Sequence, residues 1–370
     1  MGPAAAVPTS RQPENGCRGV ADGQSSRRAD SLPFRSGCGE RVVVSRSRDA
    51  SMILVTGASG FLGRHVVRRL LGSGEAVRCL CRPGSPGADW LRSQPVEVVW
   101  GHLHDPDGVE RAFRGVRHII HLASPIREVR DAAVEQFHQR AIHCLVGSAR
   151  RACVDRFLTV SPMGCGTSAD LPFLRSRGAA EEYLRGSGIP FVILQSSVMF
   201  GSGDRLIGGM IRVLCRSGLL VIPGTGKTML QPIWVGDVAS CLLRALRDDK
   251  VADRVIPIGG PQHLTYEEVA DQVAKMLNLP RVKVHLSLRT LGWLSRLLEG
   301  LGCNPFLGYR HLELLNVGTI TALDAVKRAF DFQPMPLVEG VAYQLARRQD
   351  AGFPTPPSRA ERSSRTRGHR

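Results

Sequence analysis

Three glycines, Gly57, Gly60 and Gly63, have the spacing of a phosphate-binding turn. They lie in MILVTGASGFLGRHVVRRLL (residues 52–71), where a short apolar strand runs into the glycines and then into a helix with one apolar face. One glycine allows a tight turn, one lets the backbone approach a pyrophosphate, and one lets helix and strand pack closely. The helix N-terminus adds unpaired N–H groups and a dipole that favours negative charge. The stretch therefore predicts a dinucleotide-binding site.

The residue that ends the second predicted strand bears on which dinucleotide binds. Arg82 ends the stretch AVRCLCR, at a place where NAD-specific proteins usually carry an acid for the ribose 2′-hydroxyl. A cation there suits a 2′-phosphate instead. The sequence therefore favours NADP(H) as the cofactor. NAD(H) is the alternative, in which case Arg82 is a solvated surface charge.

Four further side chains could take part in catalysis, and each also has a structural explanation. Ser161 could donate a hydrogen bond to a bound carbonyl, although a hydroxyl at a strand end is more often a cap. Cys165 would be a nucleophile only if its neighbours lowered its pKa, and the sequence places no paired histidine near it. Asp204 and Asp237 are better explained as loop and helix-capping residues. We therefore predict no catalytic residue.

The segment PGTGKTML imitates a second nucleotide-binding motif. Gly226, Lys227 and Thr228 resemble the end of a P-loop, but the first glycine of that motif would fall at Val221. A nucleotide P-loop is therefore excluded. Residues 223–226 are predicted to form a turn between two elements on the substrate side.

Composition excludes several classes of protein. The net charge of +16 comes from scattered arginines with no nucleic-acid motif, so no nucleic-acid partner is expected. The ten cysteines include no CxxC pair, which favours reduced thiols and no metal site. No apolar run reaches the roughly 18 residues that span a bilayer. We expect a cytoplasmic protein, with contact at the inner face of a membrane as the alternative.

Strands and helices alternate through the middle of the chain. Near-continuous apolar strands separated by helices predict a buried parallel sheet that binds ligands at the carboxyl ends of its strands. The predicted fold class is α/β, a Rossmann-type doubly wound parallel sheet with a smaller C-terminal substrate lobe. After the first strand, strands are predicted at 76–82, 96–100, 116–124, 155–161, 190–197 and 254–260.

The same pattern suggests where domains begin and end. Both ends are rich in Pro, Gly, Ser and Arg and are predicted to be disordered. The first of them is alternatively an over-extended start before Met52, which we favour, or a transit peptide. The predicted parts are a tail at 1–51, a dinucleotide-binding domain at 52–200 with 233–260 returning to its sheet, a smaller lobe at 201–232 and 261–346, and a basic tail at 347–370.

Two helices are predicted in the smaller lobe. Thr265 and Glu268 have the spacing of a capping box at the start of the first. The second, LRTLGWLSRLLEGLG, carries a leucine stripe with Trp293 beside it. Such a stripe is usually core, and its alternative is contact with a membrane surface or a partner subunit. The stripe consists of Leu291, Leu294, Leu298 and Leu301.

Six segments, taken in their order along the chain, resemble the short-chain dehydrogenase/reductase superfamily. They are TGASGFLG, HLAS, TVSPMG, PFLRSRGAAEEYL, FVILQSSVMFGSGD and QPIWVGDVASCLLRAL. The chain is most similar to its atypical, extended branch, which is epimerase/dehydratase-like. Within that branch it resembles bacterial relatives of the dinucleotide-binding accessory subunit of respiratory complex I, over about residues 52–345. The glycine motif identifies only the superfamily, and the run from Phe191 to Leu246 narrows it.

The resemblance implies a set of cofactor contacts. His102 departs from the family, whose members usually carry an acid there for the adenine amino group. Arg177 matches the ribose-binding lysine. The full predicted set is Gly57, Ser59, Gly60, Phe61, Leu62, Gly63, Arg82, His102, Leu103, Leu122, Ala123, Ser124, Ser161, Arg177, Ser197 and Val198.

The helix around residue 175 lacks the family's proton-transfer pair. Relatives carry a tyrosine and, four residues later, a lysine, which stand on one helix face. Here the two slots hold Phe173, which has no hydroxyl, and Arg177, which stays protonated and cannot act as acid or base. Tyr183 is rotated roughly 240° away around the helix and cannot substitute. Tyrosine-dependent alcohol oxidation is therefore excluded.

Two functions of different classes remain. In the first, the chain binds NADP(H) as a structural or sensing ligand and acts as a binding or assembly factor, in a membrane-associated complex as the resemblance suggests. In the second, it is an NADPH-dependent reductase of a quinone-like or conjugated acceptor that needs no proton from the protein.

Overall fold

The computed structural model describes residues 51–124, 131–279, 282–301, 309–315 and 317–350. The two predicted disordered tails lie outside these residues, apart from Ser51 and the end of the last helix. The strands are β1 Met52–Thr56, β2 Val77–Cys81, β3 Glu97–Trp100, β4 Val116–His121, β5 Arg156–Pro162, β6 Phe191–Ser196, β7 Met199–Phe200, β8 Leu219–Pro223, β9 Met229–Leu230, β10 Ile233–Trp234, β11 Arg254–Ile258, β12 Leu264–Thr265 and β13 Val282–Leu286.

Helices follow most of the strands. They are α1 Phe61–Gly72, α2 Ala88–Arg92, α3 Pro106–Phe113, α4 Asp131–Arg151, α5 Pro172–Arg185, α6 Ile207–Ser217, α7 Val235–Ala245, α8 Tyr266–Met276, α9 Leu288–Gly300, α10 Tyr309–Leu315, α11 Ala325–Phe330 and α12 Leu337–Asp350.

Seven strands form one parallel sheet in the order β11-β6-β5-β4-β1-β2-β3. The chain leaves β1 toward β2 on one side and later reaches β4 on the other. The strand order therefore reverses between β1 and β4, which is where doubly wound sheets bind ligands. The predicted Rossmann-type fold is confirmed, and each predicted strand of the sheet overlaps an observed one.

The alternation of side chains along β1 explains why helices cover both faces of the sheet. Ile53 and Val55 point to one face, where α1, α7 and α11 pack, whereas Leu54 points to the other, where α3, α4 and α5 pack. Because both faces are buried, the strand reads as a continuous apolar run in the sequence.

A separate apolar cluster lies around α6, α8 and β8, with Tyr266 fully buried in it. The capping box at the start of α8 is confirmed, since the Thr265 side chain accepts from Glu268 N–H and the Glu268 carboxylate accepts from Thr265 N–H. The turn predicted before β9 is also present, closed by Gly226 N–H donating to Pro223 O. The division into two domains with the predicted boundaries stays a prediction.

The leucine stripe of α9 is only partly core. Leu291 is buried and Leu298 half-buried, but Leu294 is 39% exposed and Leu301, just beyond the helix, is 70% exposed. Trp293 is 67% exposed. Among the described residues, part of the predicted apolar face of α9 is therefore exposed rather than buried.

Candidate functional site

The glycine turn after β1 is built from main-chain atoms in close contact. Gly57 adopts a left-handed φ of +73°, and a Cβ there would lie 2.6 Å from Ala123 N, in the segment after β4. A Cβ on Gly63 would lie 2.1 Å from Gly57 O and 2.7 Å from Ala58 Cα. The turn, the first helix and the end of β4 therefore meet at distances that only glycine permits.

The N-terminus of α1 is open to a ligand. Its N-cap residue is Gly60, which is exposed, and no described side chain caps the helix or adds an acid to its first turn. The first N–H groups of a helix have no partner within the helix. The turn thus offers main-chain donors and a positive dipole end, which fits the diphosphate of a dinucleotide. Phe61 and Leu62 begin this helix, the first half-buried and the second buried.

Two arginines lie beside the turn. Arg82 is exposed directly after β2. Arg64, on α1, donates from Nε to Ser59 O at 3.0 Å and lies 5.5 Å from the Trp90 ring. A Cβ on Gly87, in the loop that Arg82 begins, would meet Arg64 Nη2. Two cationic side chains therefore lie beside the glycine turn, on the side where this fold places the adenosine ribose of a bound dinucleotide.

The segments after β3 and β4 contain five of the predicted contacts. His102 is exposed, whereas Leu103 is 8% exposed and packs in the core. After β4, Leu122 and Ala123 are half-buried against the glycine turn, and Ser124 is exposed beyond them. The structure thus gathers the residues around Ala123 at the turn, and it places the Leu103 side chain away from the surface.

The side chain of Arg177 points into the protein rather than toward the turn. It is 4% exposed, and its Nη2 donates to Val160 O at 2.7 Å and Ser161 Oγ at 2.8 Å. A longer bond of 3.3 Å reaches Thr159 Oγ1. The guanidinium is therefore held against β5, and its Nε has no hydrogen-bond partner among the described residues. The ribose contact implied by the family stays a prediction.

Ser161 belongs to the same buried network. It is 1% exposed and lies between Arg177 and Glu181, one turn further along α5. Glu181 also accepts from Gln195 Nε2 at 3.0 Å. Burial raises the pKa of Glu181, against the opposing effects of Ser161, Arg177 and Gln195. Ser161 therefore has two internal partners in this structure.

A chain of polar groups connects this network to the end of β1. Thr159 Oγ1 donates to His121 O at 2.9 Å, and His121 Nδ1 lies 2.7 Å from Thr56 Oγ1. Burial, and secondarily the charge of Arg177, lowers the pKa of His121 to about 3. His121 is therefore neutral beneath the site at physiological pH.

Phe173 occupies an apolar pocket. It is 1% exposed and clusters with Val134 and Leu174. Its ring centroid is 5.5 Å from that of His138 on α4. An apolar ring thus fills the slot in which relatives carry a tyrosine, and it lies beside a histidine on the neighbouring helix.

The last two predicted cofactor contacts follow β6. Ser197 is buried, and its Oγ donates to Thr319 O at 2.8 Å. Val198 is half-buried, and its carbonyl accepts from Ile233 N–H. The structure places both residues at the carboxyl end of the sheet, with Ser197 bonded to the segment before α11.

The remaining reactive side chains have structural roles. Burial raises the pKa of the Cys165 thiol to about 12, so the thiolate needed for nucleophilic attack is scarce. Asp204 accepts from Gly201 N–H and Gly208 N–H, and Asp237 accepts from Met335 N–H. Tyr183 is 39% exposed and stacks on His143.

Two classes of feature are missing from the described residues. They contain no group of three or more His, Cys, Asp or Glu side chains placed to hold a metal ion. None of their helices combines the length and apolar character that crossing a bilayer requires.

Sequence reasoning missed three residues beside the site. Arg64 and Glu181 lie on helices where charged side chains usually face solvent, and His138 lies in a stretch with no motif. Only the pairing of distant segments brings them to the site. A buried position on the apolar face of α4 was the one available signal for His138, and apolar periodicity explains that position equally well.

The sequence profile of the NmrA-like family matches residues 49–292. The match covers more than half of the chain, so the chain belongs to the NmrA-like family. Together with the Rossmann-type sheet, this confirms the predicted resemblance to atypical short-chain dehydrogenases/reductases.

Two relatives illustrate the similarity. Subunit 9 of the NADH dehydrogenase [ubiquinone] 1 alpha subcomplex from Arabidopsis thaliana mitochondria is 28% identical over 250 residues, covering 66% of this chain and 61% of that protein. A photosystem II assembly factor from Cyanophora paradoxa is 28% identical, covering 64% of this chain and 74% of that protein. The chain thus spans less than two thirds of the plant subunit.

Solved structures share the fold at lower identity. UDP-glucose 4-epimerase from Thermotoga maritima has a TM-score of 0.67 and 18% identity, covering 81% of this chain and 99% of that one. The NADPH-dependent quinone oxidoreductase of Escherichia coli, determined with NADPH, has a TM-score of 0.63 and 19% identity, covering 79% and 99%.

Proposed function

We propose that the chain binds a nicotinamide dinucleotide at the turn between β1 and α1, and that it works as a cofactor-binding accessory, assembly or sensing protein. The observation that carries this proposal is the glycine turn itself. Gly57 and Gly63 are closed to any side chain by main-chain contacts, while the first N–H groups of α1 remain open. Such a turn fits a diphosphate and has little use otherwise.

The missing tyrosine supports a binding role. Phe173 cannot exchange a proton, and Arg177 is held by β5 through three hydrogen bonds. The tyrosine-lysine device therefore cannot be assembled from these two positions. The relatives named above as a complex I subunit and a photosystem II assembly factor are consistent with a role in which the bound cofactor is structural.

NADP(H) is the preferred cofactor in this proposal. Arg64 and Arg82 both stand beside the turn, and two cations favour the 2′-phosphate that NADP(H) alone carries. Hydrogen bonds to charged groups are worth about 1.5–3 kcal/mol. Replacing either arginine should therefore weaken NADPH binding by about 10- to 100-fold.

Fluorescence titrations with NADPH and NADH test the binding proposal. The unchanged protein should bind NADPH more tightly than NADH. Arg82→Ala or Arg64→Ala should weaken the binding of NADPH and leave the affinity for NADH little changed. Arg216→Ala, an exposed arginine on α6, is the matched control and should change neither affinity. Absence of binding at millimolar NADPH would refute the cofactor proposal, and equal losses for both nucleotides would refute the 2′-phosphate contact.

The partner in this proposal is a membrane-associated protein complex. The relatives support it by their names, and the exposed side chains of Trp293, Leu294, Leu297 and Leu301 give the region of α9 an apolar surface. Native electrophoresis of membranes from cells that carry the tagged protein tests this proposal. A tagged chain that migrates only at its own mass, with no share in a larger complex, would contradict it.

A second candidate is an NADPH-dependent reductase of a quinone-like acceptor. The apolar burial of Phe173 favours it over other reductases, because a quinone takes hydride directly and its protons come from water. NADPH oxidation with 1,4-naphthoquinone measures this activity. If bound NADPH is not oxidised in the presence of the quinone, the reductase candidate is refuted and only the binding role remains.

A further inference from the structure

The two halves of the predicted cofactor site differ in whether their polar groups are accessible. A doubly wound sheet holds a dinucleotide across the point where its strand order reverses. The adenosine half then lies toward β2 and β3, and the nicotinamide half toward β5 and β6. On the adenosine side, Gly60 at the start of α1, Arg82 after β2 and His102 after β3 are all exposed. These residues are therefore accessible to a bound nucleotide.

On the nicotinamide side, the polar side chains are buried and bonded within the chain. Ser161 on β5 accepts from Arg177 Nη2 at 2.8 Å. Arg177, at the position of the family's ribose-binding lysine, also donates to Val160 O at 2.7 Å. Ser197, directly after β6, donates to Thr319 O at 2.8 Å. Three of the predicted cofactor contacts on this side therefore already have partners inside the protein.

Main-chain groups at the same strand ends are bonded as well. Met163 N–H, just after β5, donates to Ser196 O at 3.0 Å, and Ser197 N–H donates to Ile258 O at 3.0 Å. These two N–H groups are therefore not available to the ribose or the carboxamide of a nicotinamide nucleotide. At the glycine turn, by contrast, the first N–H groups of α1 have no partner within the helix.

The segment of residues 317–321, which precedes α11, lies across the ends of β5 and β6. A Cβ on Gly164, two residues after β5, would lie 3.4 Å from Val317 Cγ1. Two residues further along the segment, Thr319 O accepts the hydrogen bond from Ser197, directly after β6. Val317 also packs against the apolar cluster that contains Phe173. The protein's own chain therefore covers these two strand ends.

The 317–321 segment is itself held in place by hydrogen bonds. Thr319 N–H donates to Met229 O at 3.4 Å, and Thr321 N–H donates to Gln231 Oε1 at 2.7 Å. On its other side, Thr321 O lies 2.8 Å from His263 Nε2. The amide of Gln231 is fully buried. Moving the segment away from β5 and β6 would therefore break several bonds at once.

We propose that the site binds the adenosine half of NADP(H), with its 2′-phosphate and diphosphate, and that the 317–321 segment occupies the place of the nicotinamide nucleoside. Affinity is then independent of the oxidation state of the nicotinamide, so the chain responds to the total amount of NADP(H). This inference rests on the dinucleotide binding proposed above. It disfavours the reductase candidate, because hydride transfer requires a nicotinamide ring held against the acceptor.

Isothermal titration calorimetry of the full chain with three nucleotides tests the inference. NADPH, NADP⁺ and 2′-phospho-ADP-ribose share the adenosine half with its phosphates, and the third lacks the nicotinamide. One hydrogen bond changes an affinity by about 2- to 10-fold. Because the nicotinamide makes no bonded contact in this proposal, the three dissociation constants should agree within about 2-fold.

The possible failures of this titration can be told apart. If NADPH or NADP⁺ bound more tightly than 2′-phospho-ADP-ribose by more than that factor, the nicotinamide would have contacts of its own and the inference would be overturned. A difference of the same size between NADPH and NADP⁺ would also overturn it. If none of the three nucleotides bound at millimolar concentration, the cofactor proposal would be refuted, and this inference with it.

A variant on the adenosine side checks that the three nucleotides bind in the same way. Arg82→Ala should weaken the binding of all three by the same factor, because each carries the 2′-phosphate. Arg216→Ala, at an exposed position on α6, is the matched control and should change none of the three constants. If Arg82→Ala weakened 2′-phospho-ADP-ribose but not NADPH, the two ligands would be held by different contacts, which contradicts the inference.

Time-resolved fluorescence anisotropy of bound NADPH is an independent measurement of the same point. A reduced nicotinamide ring without protein contacts reorients within nanoseconds, as exposed side chains do. The anisotropy decay should therefore contain a component that is faster than the tumbling of the whole protein. A decay that follows the tumbling of the protein alone would show that the ring is held, and the inference would then be wrong.

Discussion

The turn between β1 and α1 and the junction of β5 with α5 are built from different materials. The turn is made of main chain, with Gly57 and Gly63 packed where no side chain fits. The junction is made of side chains, and its central cation, Arg177, bonds to β5. The geometry of a main-chain site is fixed once the turn has folded. The chemistry of a side-chain site changes when one or two of its residues are replaced. The first region therefore fits ligand binding, and the second lacks the chemistry of its relatives.

The two regions are connected through buried polar groups. His121 bonds to Thr56 at the end of β1 and, through its carbonyl, to Thr159 beside Arg177. A small cavity of about 10 Å³ lies among them, bordered also by His138 and Glu181. A change at the junction can therefore reach the turn through neighbouring contacts rather than through a long pathway.

The largest effect is expected from Arg177→Met. The change leaves Glu181 buried without its cation and removes three hydrogen bonds from β5. Leaving buried polar groups without their partners costs about 1–3 kcal/mol of the free energy of unfolding for each group. Chemical denaturation at neutral pH measures this loss.

Two controls sharpen that measurement. Replacing both side chains, in Arg177→Met with Glu181→Leu, should recover part of the loss because the carboxyl of Glu181 is no longer buried without the cation beside it. Arg185→Met, at an exposed position on the same helix, should stay within about 0.5 kcal/mol of the unchanged protein. A double variant as unstable as Arg177→Met alone would show that the two side chains do not act as a pair.

A smaller effect on stability, with a larger one on binding, is expected from Gly63→Ala. The new Cβ would lie 2.1 Å from Gly57 O, so the main chain must move. Overpacking of this kind costs about 1–3 kcal/mol, and the shift disturbs the N–H groups that face the diphosphate. Thermal unfolding and NADPH titration measure the two effects.

Gly72→Ala is the matched control on the same helix. A Cβ there meets no described atom within 4 Å, and alanine is favoured over glycine in a helix by up to about 1 kcal/mol. The variant should bind NADPH normally and should be equally or more stable. If Gly63→Ala resembled it in both respects, the turn would not depend on close main-chain packing.

The sequence predicted the turn and the sheet well because both depend on local patterns. Gly57, Gly60 and Gly63 have fixed spacing, and each strand is a short apolar run between helices. The two positions at which relatives carry the tyrosine and the lysine could also be predicted, since Phe173 and Arg177 have a fixed spacing on one helix. The direction in which these side chains point could not be predicted. Whether Arg177 points to a ribose or into β5 depends on Ser161 and Glu181, which only the folded chain places beside it.

His138 illustrates the limit most clearly. In the sequence, α4 and β5 lie between its partners Ser124 and Ser176. No spacing rule links them, because the contact depends on how α4 and α5 pack against each other. The exposed leucines near α9 show the same limit, since periodicity gives the apolar face but not what covers it.

The smallest of these effects is a pH dependence at the group that connects the two regions. Burial, with a smaller effect of Arg177, lowers the pKa of His121 from 6.5 to about 3 in the folded chain. Between these values the unfolded chain binds a proton that the folded chain does not. The contribution of His121 to stability is therefore present above pH 6.5 and is lost as the pH falls, by about 1.4 kcal/mol per pH unit.

Glu181 acts with the opposite sign in part of the same range. Burial raises its pKa above 4.5, so the unfolded chain releases that proton first and stability falls as the pH rises. The difference between the unchanged protein and His121→Gln isolates the histidine, because Glu181 is common to both. The advantage of the unchanged protein should shrink between pH 6 and pH 5, measured by denaturant unfolding. A constant difference across pH 5–7 would show that His121 accepts a proton in the folded state, and that the polar chain between the turn and the junction can open to water.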